Sequence, residues 1–235
     1  MTKVRSFQRF AALSAVLSFP LAIASNVLQG LPTNFNSDIF TNPTLMLSIG
    51  ANGASLMRWG LILDMLGYYL LLLPSALFLH TWCGSKSRDW VRFYSLCGFG
   101  YILVGAAGAA ILASVHPPLI TAYAQGTSAA QRAVIETVFI NTWNVVYGGL
   151  WNVLGELLAG VWLIGIGWLL RGERRFFSVI TLLLGLGALL DSLGTVLGIG
   201  ALALPGLSIF VGLLPIWALW LGIDLLRKPV QIQSA

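Results

Sequence analysis

The chain has 235 residues, of which 57% are hydrophobic and only 9% charged. Soluble domains carry about 25% charged residues, so this composition, with a mean hydropathy of +0.86, excludes an ordinary water-soluble fold and points to a chain that uses lipid as part of its solvent. The formal charge of +5 would suggest nucleic acid in a soluble domain; here the placement of the basic residues accounts for it, and the bilayer rather than nucleic acid is the expected partner.

A membrane-spanning helix needs ~20 mostly apolar residues. Six stretches qualify, at about 9–28, 58–81, 92–115, 142–170, 176–203 and 207–226. The expected fold is all-α: a polytopic bundle of six transmembrane helices, with residues 1–235 forming one transmembrane domain. The first span follows Lys3, Arg5 and Arg9. That basic start, the run Phe10–Ile23 and the small residues around Ala22-Ile23-Ala24 also resemble a secretory signal with a cleavage site, which would leave five spans. The apolar run continues to Leu28 with Pro20 inside it, so a retained span is expected.

The connection at 29–57 carries the turn residues Pro32, Asn34, Asn36, Asn42 and Pro43. It also holds Leu45–Ile49, too apolar for a free loop and expected to lie on the membrane or cap the bundle. The second span contains Asp64, which at ~100° per residue shares a face with Gly60, Gly67, Tyr68 and Ser75. His116-Pro117-Pro118 predicts the end of the third helix. Ser128–Asn144 reads as helix and extends the fourth span. From Ser128 to Leu170 the helix would run about 65 Å, longer than one bilayer is thick, which predicts a break or bend near Gly148-Gly149. The fourth span contains Glu156, on a face with Gly149, Asn152, Gly160 and Gly167. The fifth contains Asp191, on a face with Gly187, Gly194 and Gly198, and Gly194–Gly198 is a GxxxG expected to pack against another helix. Leu204-Pro205-Gly206 is expected to turn the chain into the sixth span, and Asp224, near Arg227 and Lys228, to sit at its solvated end.

Placing the N-terminus in the cytoplasm leaves only Arg58 and Arg132 outside, so 11 of the 13 Lys and Arg residues lie inside. This asymmetry predicts an N-in, C-in protein of the inner (cytoplasmic) membrane, with both termini cytoplasmic. Cys83 and Cys97 fall near the inner ends of neighbouring spans and are expected to be free thiols.

Asp64, Glu156 and Asp191 are the chemical clue. An ionised carboxylate near the bilayer centre costs roughly 2.5–3.5 kcal/mol, so such residues are functional candidates. Each lies about 14–16 residues from the inner end of its span, at a common level about 21–24 Å above the inner boundary of the apolar core. Their small, polar faces predict an outward-facing acidic cavity that binds a small molecule, cation or proton, with Asn152, Tyr68 and His116 contributing. Asn141, Asn144, Tyr69, Tyr147, Trp143 and Trp151 are further candidates. The competing reading is that each acid is neutral and hydrogen-bonds across helices as glue.

Other chemistry is missing. His80 and His116 fall at opposite ends of their spans, and neither HExxH, GxSxG nor metal-type Cys/His spacing occurs, so no catalytic residue and no metal ligand is assigned. All three lysines lie outside the spans, which excludes a retinal Schiff base, and no pattern identifies a cofactor. Leu63–Leu70 matches Leu190–Leu197 at five of eight positions, but four of the matches are Leu or Gly, so inverted repeats are not expected.

Trp168-Leu169-Leu170-Arg171-Gly172 followed by Arg174-Arg175 and an apolar span, and the ending Pro215-Ile216-Trp217-Ala218-Leu219-Trp220-Leu221-Gly222-Ile223-Asp224, resemble bacterial six-helix integral membrane proteins grouped under a domain of unknown function. The resemblance covers most of the chain and implies a six-helix bundle, with no activity attached. Three functions are therefore carried forward: a small-molecule, cation or proton binder or transporter using the acidic cavity; a non-catalytic scaffold or accessory subunit packed against a protein partner or a second copy; and an intramembrane enzyme acting on a lipid or quinone.

Overall fold

Residues 2–84, 87–125 and 128–227 are described in the computed structural model, the side chains of residues 2–4 excepted. Lys86 and Lys228, used above to orient the chain, lie outside the described residues, as does the side chain of Lys3. No strand occurs among the described residues. Lipid offers no hydrogen bonds, and a helix satisfies its backbone groups within one segment.

The α-helices are α1 (Thr2–Gly30), α2 (Gly50–Asp64), α3 (Leu73–Cys83), α4 (Arg88–Ala124), α5 (Ala129–Trp143), α6 (Glu156–Leu170), α7 (Arg175–Leu197) and α8 (Gly200–Arg227). A π-helical stretch, Met65–Tyr69, and a 3-10 turn, Leu70–Leu72, join α2 to α3. A longer π-helical stretch, Asn144–Gly155, joins α5 to α6. Six segments result that are long and apolar enough to cross a membrane: Arg5–Thr33, Pro43–Cys83, Arg88–Ala124, Ala129–Leu170, Arg175–Leu197 and Gly200–Arg227. Large apolar side chains such as Leu96, Leu103, Val134 and Phe176 are exposed on their outer faces. So much apolar surface is stable only against lipid: this is an all-α, multi-pass membrane protein.

The spans form a closed ring in chain order: α1 packs on α2, α2 on α4, α4 on α6, α6 on α7, α7 on α8, and α8 back on α1. Two apolar cores fill it. One, around Trp162, Trp217, Phe78 and Leu79, occupies the half nearest the chain ends. The other, around Leu112, Ile120, Phe139 and Trp143, lies beneath the α1–α2 connection. That connection closes the bundle through a 3-10 helix, Pro43–Ile49, whose Met46 and Leu47 are buried in the second core.

Three local expectations are corrected and a fourth is made specific. The third helix does not end at His116-Pro117-Pro118: α4 continues to Ala124. Ile120, buried with Leu112 and Phe139, anchors the last turns, and Thr121 Oγ1 donates to the Pro117 carbonyl at 3.0 Å. The irregularity expected near Gly148-Gly149 is present, and it takes the form of the π-helical stretch Asn144–Gly155, in which both residues lie. Leu204-Pro205-Gly206 is not the turn into the last span but lies within α8. The reversal is at Gly198, in the left-handed conformation at φ 68°. There the Ile199 N–H donates to the Gly194 carbonyl at 2.7 Å and the Gly198 N–H to that of Thr195 at 3.2 Å, a Schellman ending that glycine adopts without a Cβ penalty. Asp224 is not a solvated end residue: its carboxylate lies 3.5 Å from Arg174 Nε, both side chains about one-fifth exposed at 18% and 21%.

Candidate functional site

A cavity of about 390 Å³ lies at the seam between the two cores, at the end of the bundle that carries the α1–α2 connection. Its inner end is formed by Asp64, Tyr68, Tyr69, Tyr101 and Glu156, and its walls by residues including Leu61, Leu112, His116, Trp143 and Trp151. Phe35 and Phe40 reach it from the connection, and Phe210 and Val211 from α8.

Both carboxyls stand where helix type changes. Asp64 is the last residue of α2 before the first π stretch, and Glu156 the first residue of α6 after the second. A π turn carries an extra residue and rotates the helix beyond it, and such insertions recur at functional sites. Their carbonyls also gain side-chain partners: Tyr101 Oη donates to the Tyr68 carbonyl at 3.3 Å, and Ser192 Oγ to that of Val153 at 2.9 Å.

The polar groups are unevenly satisfied. Asn26 Nδ2 donates to Tyr68 Oη at 2.8 Å, and that hydroxyl donates to the Val211 carbonyl at 3.0 Å. Gln29 Nε2 donates to Ser25 Oγ at 2.9 Å, and Ser25 Oγ makes a long contact of 3.5 Å to Asp64 Oδ1. Asn152 and Tyr147 both line the cavity. Asp64 Oδ2, Glu156 Oε2 and His116 Nε2 are buried with no hydrogen-bond partner. No Lys or Arg is among the described lining residues.

Aromatic rings supply much of the remaining surface. Phe40, Tyr147, Trp143, His116 and Phe139 form a continuous stack, with centroid separations of 5.7, 4.5, 6.1 and 4.0 Å along it. Tyr69 packs against Tyr101 at 5.3 Å and Trp151 at 6.4 Å. The sequence of α4 makes room for these rings: a methyl at Gly105 would collide with the Tyr69 ring, and one at Gly108 with Trp151 Nε1. Trp151 is oriented by its own donation to the Gly105 carbonyl at 3.1 Å.

Of the residues singled out from sequence, Asp64, Tyr68, His116, Asn152 and Glu156 come together here, with Tyr69, Trp143, Tyr147 and Trp151. Asp191 does not join them. It is fully buried in α7, accepts from Thr195 Oγ1 at 3.4 Å and lies near enough to Glu156 to interact electrostatically, yet α7 contributes no lining residue. The glycines on its face explain this. A methyl at Gly194 would meet Ala203 and one at Gly187 would meet Ile209, both on α8, so this face of α7 is spent on helix packing. Gly198 has open space around it and serves as the turn, not as part of that contact. Asn141 and Asn144 are exposed and stand away from the cavity.

Sequence reasoning missed Asn26 and Gln29 of α1, Phe35 and Phe40 of the connection, Tyr101 of α4, and Ser208 and Phe210 of α8. The run Ser25, Asn26 and Gln29 held a signal: three polar residues close together at the end of an apolar helix. The aromatic residues held none, since a ring in a membrane helix reads equally as core or interface anchor.

Chemically, the site can exchange protons at two carboxyls, neutralise a positive charge and stack a planar or apolar group, on a volume within the usual range for small ligands. Among the described residues no group of three or more His, Cys, Asp or Glu side chains forms a metal-type cluster. No curated protein and no solved structure matches the chain. Residues 7–228 match the family described as Domain of unknown function (DUF4386), and the protein, a six-span membrane bundle, belongs to that family.

Proposed function

We propose that the protein binds a small solute in this cavity and passes it through the bundle, with Asp64 and Glu156 taking up or releasing protons as it moves. The observation that carries the reading is that two buried carboxyls, each with one oxygen lacking a hydrogen-bond partner, line one cavity that has no Lys or Arg among its described lining residues. An unpaired buried carboxyl costs stability unless a proton or a ligand compensates it, and membrane proteins keep such groups chiefly on solute and proton paths. The basic residues at the opposite end support placing the cavity toward the outside. In this reading Asp191 stiffens the contact of α7 with α8 and is not itself a binding residue.

Proteoliposomes holding a pH-sensitive dye test this against a panel of external solutes. Solute-dependent proton movement is expected in the unaltered protein and is expected to be lost in Asp64→Asn and in Glu156→Gln. Unchanged movement in both variants would overturn the proposal.

A further inference from the structure

We infer that the ligand of this cavity is an organic cation: an ammonium or delocalised positive charge on a compact apolar body, bound in exchange for a proton. The inference rests on the reading of the cavity as a solute site and names the solute's class.

Three observations converge. Asp64 and Glu156 are buried, 9% and 6% exposed, with Asp64 Oδ2 and Glu156 Oε2 lacking partners. An anion would meet like charge or an unmet acceptor there. The rings of Tyr69, Tyr101, Tyr147 and Trp151 surround the same space, and the faces of such rings attract desolvated cations. A hard divalent ion fits poorly, because such cations need six or more oxygen ligands at short range, whereas the described residues hold no group of three His, Cys, Asp or Glu side chains that could hold one. A weakly hydrated organic cation satisfies all three, placing its charge at the carboxyls and its apolar body against the rings. His116, whose Nε2 is also without a partner, adds one polar residue to the lining.

The proton count is set by charge balance. In a low dielectric each ionised carboxyl must be neutralised, by a proton or by a cation. Entry of a ligand of charge +1 and departure of a proton from Asp64 or Glu156 to water leave the net charge of the cavity unchanged. The titratable groups facing these carboxyls are Tyr68 and Tyr69 of the first π stretch, Tyr101 and His116 of α4, Tyr147 of the second π stretch, and Asp191 of α7. α1 faces them with Ser25, Asn26 and Gln29, which do not titrate, and none of these groups is a fixed cation that would neutralise the carboxyls.

The test is calorimetric titration of the full-length protein in detergent with benzyltrimethylammonium, uncharged N-benzylacetamide and anionic benzenesulfonate, in buffers of different ionisation heat. The cation is expected to bind about tenfold or more tightly than the other two, from its charge beside the carboxyls and against the aromatic faces. It should release a proton, with affinity falling about tenfold per pH unit as pH is lowered, as linkage requires. Asp64→Asn and Glu156→Gln, each removing a charge, should each weaken it about tenfold, and Trp151→Leu about threefold with proton release retained. Binding of the uncharged or anionic probe as tightly as the cation, or cation binding without proton release, overturns the inference; neither comparison depends on a variant folding. If benzyltrimethylammonium fails to bind while solute-dependent proton movement in liposomes still requires Asp64 and Glu156, the ligand class is wrong and the solute site stands. If neither depends on these carboxyls, both readings fall.

Discussion

At the scale of single residues, the cavity depends on contacts that leave little slack. Adding a methyl at Gly105 would drive it into the Tyr69 ring. Gly105→Ala is therefore expected to lower stability by about 1–3 kcal/mol, the usual cost of overpacking, seen as a lower thermal midpoint in detergent. Tyr68→Phe removes the hydroxyl that accepts from Asn26 and donates to the Val211 carbonyl. Both partners are left unsatisfied, and a loss of about 1–3 kcal/mol is expected in the same assay. Asp64 and Glu156 were legible as candidates because an acid in an apolar run stands out against any background. Asp191 carries the same signal with a different outcome: the helices against which each acid sits differ, and no residue-level pattern records that.

At the scale of elements, local turn chemistry and tertiary packing compete. Gly198 holds φ 68° in the α7–α8 reversal, so Gly198→Ala is expected to cost about 1 kcal/mol from left-handed backbone strain, whereas Pro205→Ala, inside α8, should leave the reversal intact. Differential scanning of the two variants separates them, and a larger loss at Pro205 would show that the turn signal in the sequence was right. The same competition explains α4: prolines at 117 and 118 argue locally for a helix end, but burial of Ile120 in the second core holds the following turns in place. The π stretches beside Asp64 and Glu156 were only partly legible. The excess length of the fourth span called for an irregularity, but the choice of a π-helical register over a break is made by neighbours such as Ser192, which takes up the Val153 carbonyl.

At the scale of the whole molecule, six crossings bring both ends of the bundle's chain to one face, and the basic residues favour that face as cytoplasmic. Buried Cys83 and Cys97 leave a low background for labelling. A membrane-impermeant maleimide is expected to label Asp38→Cys in intact cells, and Asp89→Cys only after permeabilisation. The reverse pattern would invert the topology and turn the cavity toward the cytoplasm.

The sequence by itself determined that the chain crosses a membrane as six helices. Apolar length and the need to satisfy every backbone group within lipid leave few alternatives. It also determined which ionisable residues are costly enough to matter. Only the tertiary structure decided which of them share a cavity. The closed ring of spans, set by side-chain fit between neighbours, turns α2, α4 and α6 toward a common space and seals α7 against α8. Helical periodicity fixes how residues are spaced around one helix, but the direction in which that helix faces is set by the helices beside it.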